Sequence, residues 1–185
     1  MKLKHLRALV ALGALAALTI VGAGSASATA PQKAGATVIK MERKGKDLFF
    51  SGPETVAAGT DLKIKNKTNP RQVGPHTFSL VKEKELPTTN SQIKKCGKKL
   101  LLICGAIIKW HDVNVQTGEI GENPVEVGKQ GWDHQGSLKQ KGDSWVSEKK
   151  GQSFTRPVTA KPGKVLHYFC AVHPFMQGEI TVTEG

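Results

Sequence analysis

The sequence predicts an all-β protein, an antiparallel β-sandwich, on three observations. Short runs of alternating apolar and polar residues recur along the chain, turn-forming residues separate these runs, and no long helical pattern is present. The sequence contains no internal repeat. Many short strands separated by turns are typical of two packed sheets.

The first predicted strands follow a small, polar lead-in that ends near Ala36. They are TVIKME, DLFFSG and DLKIKNK. In the third run, Leu62 and Ile64 alternate with lysines, which gives that strand one buried and one exposed face.

The next predicted strand, HTFSLVK, follows the turn-rich stretch NKTNPRQVGP. His76, Phe78 and Leu80 lie on one face of this strand at a spacing of two. If Phe78 and Leu80 point into the core, His76 does too. Gly74 and Pro75 precede the histidine and restrict its backbone.

The strand rhythm resumes at Asp143 with SWVSEK, SFTRPVTA, KVLHYFC and EITVTE. In KVLHYFC, Cys170 shares a face with Leu166 and Tyr168, which we expect in the core. Val165, His167 and Phe169 occupy the opposite face. We expect His167 to be solvated, whereas Phe169 is either a surface aromatic or packed under the segment described next.

Residues 83–142 form an insertion between the two sets of strands. This segment is rich in lysine and contains eight glycines. Its apolar run LLLICGAIIKW is compatible with a short helix or a buried strand, and periodicity does not decide between them. We expect the remainder of the insertion to be loop.

The N-terminus has the three parts of a secretory signal peptide over residues 1–28. Basic residues precede an apolar run from Ala8 to Val21, and small residues follow it. We expect cleavage after Ala28, or alternatively after Ala30. The apolar run is shorter than the roughly 20 residues that span a bilayer, which disfavours a retained anchor. Residues 29–185 are then one exported domain, located in the periplasm, the cell envelope or outside the cell.

The net charge is +12, and it becomes +9 without residues 1–28, which hold three basic and no acidic residues. A basic surface favours anionic partners such as acidic proteins. Export and the scarcity of aromatic residues among the lysines argue against nucleic acid. No other segment resembles a membrane span, and we expect a monomer.

The loop AVHPFMQG places a thiol, an imidazole and a thioether close together, at Cys170, His173 and Met176. A thiolate and two imidazoles with a weak axial thioether are the ligands of a blue-copper electron-transfer site. The inward-facing His76 is the candidate for the second imidazole. Zinc is disfavoured because a thioether is a poor zinc ligand. A cysteine nucleophile is disfavoured because no orienting Asn or Asp lies near the loop.

These residues resemble a known family. FCAVHPFMQGEITV is similar to the C-terminal ligand loop of cupredoxins, and its C-x2-H-x2-M spacing is most like that of amicyanins. VAAGTDLKIKNKTNPRQVGPHTFSLV resembles the cupredoxin segment that ends in the first histidine ligand, and AKPGKVLHYFC the strand entering the cysteine. The resemblance excludes most of the insertion. One departure is Thr77, where many members have an asparagine that helps to clamp the ligand loop.

The resemblance implies a Greek-key sandwich that holds one type 1 copper ion through His76, Cys170, His173 and Met176. It also implies a one-electron carrier that cycles copper between Cu(I) and Cu(II) for redox partner proteins outside the cytoplasm. A single such site leaves no place for a substrate, so we expect no enzyme activity. The alternative is a copper storage or delivery protein that uses the same ligands.

Cys96 and Cys104 remain once Cys170 is assigned to the metal. Export favours a disulfide between them, and free thiols or a crosslink to another chain are the alternatives. A disulfide requires the chain between them to turn back, which Gly97 permits. His111 and His134 lie in the insertion without ligand-like spacing, and no second metal site is predicted.

Two groups of residues are candidates for docking a partner. The first is a lysine run without acidic residues, which either docks an acidic partner or is merely a solvated face. The second is an apolar collar around His173, unless Phe175 instead plugs the end of the core. The lysines are Lys94, Lys95, Lys98 and Lys99, and the collar residues are Val172, Pro174 and Phe175.

Overall fold

Nine strands and three helices account for the regular structure in the computed structural model, which describes residues 35–127 and 130–185. The strands are β1 (Thr37–Lys44), β2 (Asp47–Ser51), β3 (Thr55–Ala57), β4 (Asp61–Asn66), β5 (His76–Leu80), β6 (Ser144–Ser147), β7 (Ser153–Pro157), β8 (Val165–Phe169) and β9 (Gln177–Thr183). The helices are α1 (Pro70–Val73), α2 (Asn90–Lys99) and α3 (Leu102–Trp110), with a 3-10 turn at Glu83–Glu85.

The strands form two sheets, in the orders β2-β1-β4-β7 and β3-β9-β8-β5-β6. The predicted two-sheet β-sandwich is therefore confirmed. The sheets are mixed rather than purely antiparallel, because β1 pairs with β4 and β3 pairs with β9 in parallel. Between β2 and β4 the chain crosses to the second sheet, where it forms β3. This crossover allows β4 to run parallel to β1 in the first sheet.

Alternating residues from both sheets build the larger hydrophobic cluster, which we call the sandwich core. Leu62 and Ile64 are fully buried, as their alternation with lysines predicts. Phe78 lies at the centre of the aromatic contacts, with its ring 5.1 Å from that of Trp132 and 4.7 Å from that of Tyr168. These aromatic side chains fill the space between the sheets.

A second cluster, the insertion core, lies on the other face of β8. It contains the Cys96–Cys104 disulfide together with apolar residues of α3 and two residues that flank Cys170. Its buried members are Val81, Cys96, Ile103, Cys104, Ile107, Trp110, Val125, Phe169 and Ala171. Phe169 is thus packed under the insertion and is not a surface aromatic.

Helix α2 lies in a part of the insertion where the sequence suggested loop. Its start carries a capping box, in which Thr89 and Gln92 satisfy each other's backbone N–H groups. Its end is set by Leu100, which adopts a left-handed conformation with φ of 49°. The turn that brings the two cysteines together is therefore at Leu100, and Gly97 lies within the helix. The apolar run that follows forms a helix, α3, and not a strand.

No helix in the described ranges is long and apolar enough to cross a membrane. The predicted signal peptide at residues 1–28 lies outside the described residues.

Candidate metal centre

The pairing of β5 with β8 brings the two ends of the site together. The strands are antiparallel with Ser79 opposite Phe169, so the start of β5 lies beside the residues that follow β8. His76 is the first residue of β5, and Cys170 follows the last residue of β8. The sheet therefore positions these two side chains although they are 94 residues apart.

Nitrogen atoms of two histidines face one sulfur. Nδ1 of His76 lies 3.8 Å from Sγ of Cys170, and Nδ1 of His173 lies 3.6 Å from the same sulfur. All three ligand atoms lie within 4.8 Å of one another. An ion about 2.0 Å from nitrogen and about 2.3 Å from sulfur, with angles near 120°, separates these atoms by about 3.7 Å. The donor set therefore fits a trigonal metal ion.

A polar network fixes the ring of His76. The Thr68 hydroxyl donates to Oδ1 of Asn66 at 2.7 Å, so its oxygen accepts a hydrogen bond from Nε2 of His76 at 2.9 Å. The Asn66 amide in turn donates to Ser147 Oγ at 2.9 Å. With the hydrogen on Nε2, the lone pair of His76 Nδ1 is directed at Cys170, as a metal ligand requires.

Burial keeps both imidazoles in the neutral form that binds metals. Burial, followed by the charge of His173, lowers the pKa of His76 from 6.5 to about 4. Burial also lowers the pKa of His173, although a backbone hydrogen bond with Val73 opposes that shift. Near neutral pH both rings therefore offer a lone pair.

The sulfur of Cys170 is fully buried and surrounded by hydrogen-bond donors. Backbone N–H groups of Thr77 and His173 each donate to Sγ at 3.4 Å. Burial raises the pKa of the Cys170 thiol, and the hydrogen bonds from Thr77, His173 and Val172 oppose the shift. A bound cation would compensate the buried thiolate, and these donors are already in place to support it.

Thr77 connects the first histidine strand to the ligand loop. Its Oγ1 accepts a hydrogen bond from the backbone N–H of Ala171 at 2.8 Å. A threonine hydroxyl here holds the residue directly after Cys170, so the absence of an asparagine at this position does not release the loop.

The ligand loop is a tight turn held by its own backbone. The N–H of Met176 donates to the carbonyl of His173 at 2.8 Å, and the N–H of Cys170 donates to the carbonyl of Met176 at 3.0 Å. Met176 is buried in the sandwich core together with Cys170. Its assignment as the axial ligand stays a prediction.

The surface of the loop differs in part from the predicted collar. Val172 and His173 are half-buried, and Phe175 is 53% exposed with its ring 6.0 Å from that of His173. Pro174, in contrast, is buried against α2, because Gly97 has no side chain to keep it away. Pro174 therefore cannot line the exposed collar, and Phe175 does not plug the core.

The other sequence-predicted residues fall outside the ligand cluster. Cys96 and Cys104 form the expected disulfide. His167 is half-buried between two carboxylates, Glu83 and Glu179, and is not freely solvated. His111 is buried in the insertion. The four docking lysines are all exposed.

Sequence reasoning missed Asn66 and Thr68. Polar residues within NKTN indicate a turn, although Asn66 continues the buried register of Leu62 and Ile64. The sequence signal for this network is the amide of Asn66 at a position expected to be buried, because a buried amide needs a hydrogen-bond partner inside the protein.

No family model matches this chain, and no curated protein sequence matches it. Among solved structures, a novel purple cupredoxin from Nitrosopumilus maritimus is 14% identical, with 80% of this chain and 99% of that chain covered and a TM-score of 0.39. Auracyanin A, a "blue" copper protein from Chloroflexus aurantiacus, is 21% identical, with 80% of this chain and 100% of that chain covered and a TM-score of 0.41. Auracyanin from Roseiflexus castenholzii is 14% identical, covering 80% and 98%, with a TM-score of 0.35.

Scores and identities this low carry no weight for function, so the assignment depends on the geometry. The resemblance to cupredoxins is confirmed in the two-sheet sandwich and in the histidine–cysteine–histidine cluster. His76, Cys170 and His173 form a candidate type 1 copper site.

Proposed function

We propose that the chain is an exported one-electron carrier with a type 1 copper ion, bound by His76, Cys170 and His173 with Met176 as the weak axial ligand. The observation that supports this most strongly is the convergence of two Nδ1 atoms on one buried sulfur, at 3.8 and 3.6 Å. Bound copper would supply the Cu(I)/Cu(II) couple, and we expect no catalytic turnover by this chain alone.

The rigidity of the surroundings favours a carrier over a storage or delivery protein. His76 and Cys170 are fully buried, and Thr68 and Thr77 hold the histidine ring and the ligand loop through hydrogen bonds. A ligand set fixed in this way changes little between oxidation states, which suits electron transfer. A delivery protein would instead need to open the site for metal exchange.

The half-buried edge of His173 is the proposed route for electrons. Val172 and the exposed ring of Phe175 lie beside it and provide an apolar contact surface. Helix α2 packs on Pro174 within the same loop and brings the lysine run close to this surface. Three exposed leucines follow α2, at Leu100, Leu101 and the first residue of α3, Leu102. An apolar surface beside lysines fits a redox protein with an acidic docking face.

Export follows from the predicted signal peptide and is consistent with a disulfide inside the insertion core. We place the protein in the periplasm, the cell envelope or the extracellular space, as a monomer.

The visible spectrum of the copper-loaded protein, before and after mild reduction, tests the proposal. We expect a strong thiolate-to-copper band that bleaches reversibly, and we expect Cys170→Ser to abolish it. Cys96→Ser combined with Cys104→Ser is the matched control and should retain the band. A colourless protein that binds only Cu(I), and loses it quickly to a chelator, would support the delivery function instead.

Electron transfer with small charged reagents tests the docking surface. Oxidation by an anionic iron cyanide complex should slow several-fold in Lys95→Glu/Lys98→Glu and depend less on salt, because the lysines no longer attract the reagent. Lys149→Glu/Lys150→Glu changes the net charge equally at exposed positions outside the proposed surface. Equal rates in the two double variants would contradict docking at α2.

A further inference from the structure

A chain of buried polar side chains connects His111 in the insertion to the sulfur of Cys170. Nε2 of His111 lies 2.7 Å from Ser144 Oγ, and Ser144 Oγ lies 2.7 Å from Ser79 Oγ. Ser79 then donates to Thr77 Oγ1 at 3.0 Å. The backbone N–H of Thr77 donates to Sγ of Cys170 at 3.4 Å. None of the five residues is more than 2% exposed.

The strands place these groups in line. Ser79 of β5 and Ser144 of β6 are direct partners in the antiparallel register, so their side chains leave the sheet together. Thr77 is two residues before Ser79 and therefore lies on the same face of β5. His111 follows α3 and reaches Ser144 from the insertion.

The chain requires a definite number of hydrogens. Nδ1 of His111 lies 2.8 Å from the carbonyl oxygen of Glu122, which only accepts, so Nδ1 carries a hydrogen. Between that carbonyl and Thr77 Oγ1 there are four links, and the hydroxyls of Ser144 and Ser79 supply two hydrogens. A neutral His111 adds one hydrogen and leaves one link unmade. An imidazolium adds two and completes all four.

The direction of the completed chain follows from the same count. Because Ser79 donates to Thr77, Ser144 must donate to Ser79, and Nε2 of His111 must donate to Ser144. Thr77 Oγ1 accepts from Ser79, which leaves its own hydrogen for the sulfur of Cys170, and the Thr77 side chain acts to lower the pKa of that thiol. Hydrogen bonds around the cysteine sulfur are among the factors that tune the potential of a blue-copper site.

We propose that His111 is a positioning residue for the metal centre, and that its charge reaches Cys170 through the hydroxyls of Ser144, Ser79 and Thr77 and raises the reduction potential. This inference depends on the proposed copper function. A hydrogen bond to the thiolate withdraws electron density from it and favours Cu(I). The redox partner supplies the electron that reduces copper, and water supplies the proton that binds Nε2 of His111. The hydroxyls only rotate and release no proton.

The surroundings of His111 determine when it becomes charged. Burial lowers its pKa, a backbone hydrogen bond and the charge of Glu122 act to raise it, and the charge of Lys141 lowers it. His111 is therefore neutral near neutral pH and becomes charged on acidification. Asp143, next to Ser144, also titrates in this region, because burial raises its pKa to about 6.

The experiment is the pH profile of the reduction potential, measured by spectroelectrochemistry on the copper-loaded protein. The wild-type reduction potential should rise on acidification. We expect His111 to bind its proton about tenfold more tightly in the Cu(I) form than in the Cu(II) form, which corresponds to a rise of about 59 mV. Ser79→Ala cuts the chain between two residues that stay in place, and it should remove this component. Any pH dependence that comes from Asp143 or from the ligands remains in this variant.

His111→Gln provides a second variant that keeps polar atoms but cannot titrate, in case Ser79→Ala does not fold. His134→Gln and Ser51→Ala are the controls, since neither residue belongs to the chain. Nuclear magnetic resonance of the ring nitrogens in the diamagnetic Cu(I) form should show a lower pKa for His111 in Ser79→Ala than in wild type.

If the blue band is present and the pH profiles of the reduction potential in Ser79→Ala and His111→Gln match that of wild type, the inference is overturned. Absence of the blue band in wild type would instead overturn the proposed copper function. The two failures are therefore distinguishable.

Discussion

The sandwich core and the insertion core differ in how they are built, and they meet at the end of β8. The sandwich core is made of alternating strand residues and aromatic rings, whereas the insertion core is made of two short helices joined by a disulfide. Cys170 belongs to the first, and its neighbours Phe169 and Ala171 belong to the second. The candidate ligand is thus held from both sides, so changes in either core should reach it by different routes.

The largest expected effect comes from opening a cavity in the sandwich core. Phe78→Ala should lower the free energy of unfolding by about 4 kcal/mol, because Phe78 is fully buried among aromatic rings. Ile107→Ala in the insertion core should cost about 3 kcal/mol. Urea denaturation followed by tryptophan fluorescence measures both.

The two cores are distinguished by where in the protein each substitution lowers the local stability. We expect Phe78→Ala to lower the stability of the whole domain, and Ile107→Ala to increase hydrogen exchange mainly in α2 and α3. Equal hydrogen-exchange changes across both regions in Ile107→Ala would show that the two cores unfold as one unit.

A second large effect concerns Asp143, a buried carboxyl directly before β6. Its Oδ2 accepts two backbone N–H groups, and Oδ1 has no hydrogen-bond partner within the described residues. Burial raises its pKa from 3.8 to about 6, so the folded protein holds this proton more tightly than the unfolded chain does. The stabilising contribution is full below pH 3.8 and is lost as pH rises through 6.

Asp143→Asn mimics the protonated form, so it should stabilise the metal-free protein by up to roughly 3 kcal/mol at pH 8. Its advantage over wild type should disappear below pH 4. Asp47→Asn, at an exposed position, is the control and should show no such pH dependence. Urea midpoints between pH 4 and pH 8 that run parallel for Asp143→Asn and wild type would contradict the assignment.

The disulfide is expected to have a smaller effect that is restricted to the insertion core. Its cysteines are 8 residues apart, so the entropy of loop closure suggests a stabilisation of about 2 to 3 kcal/mol. Cys96→Ala/Cys104→Ala should lower the stability by this amount, and the visible band of the copper form should shift only slightly. Complete loss of the band would mean that the insertion core is required for the ligand geometry.

The sequence was sufficient for the sandwich and insufficient for the insertion, for physical reasons. Strand alternation reports which face is buried, so the inward position of His76 followed from Phe78 and Leu80. Helix α2 was missed because lysines and Gly97 obscure its apolar face, and the capping box at Thr89 was its clearest local signal.

Contacts between distant parts of the chain were also beyond the sequence. Thr68 reaches His76 through a buried turn, and Asn66 bonds Ser147 across 81 residues. The burial of Pro174 depends on how α2 packs, which no local pattern encodes.

The smallest expected effect is the most informative about how the two cores communicate. In Gly97→Ala, the new Cβ would lie 3.2 Å from Cδ of Pro174, which is tighter than an ordinary contact. Alanine in a helix gains up to about 1 kcal/mol over glycine, so the net change in stability should stay below about 1 kcal/mol. Pro174 must nevertheless move by a few tenths of an ångström, and His173 precedes it directly. We therefore expect a measurable shift of the visible band with almost unchanged stability, whereas Ser91→Ala, at an exposed position of α2, should leave the band in place. A Gly97→Ala protein that is about 1 kcal/mol more stable and has the wild-type spectrum would show that the insertion packs on the ligand loop without influencing the metal centre.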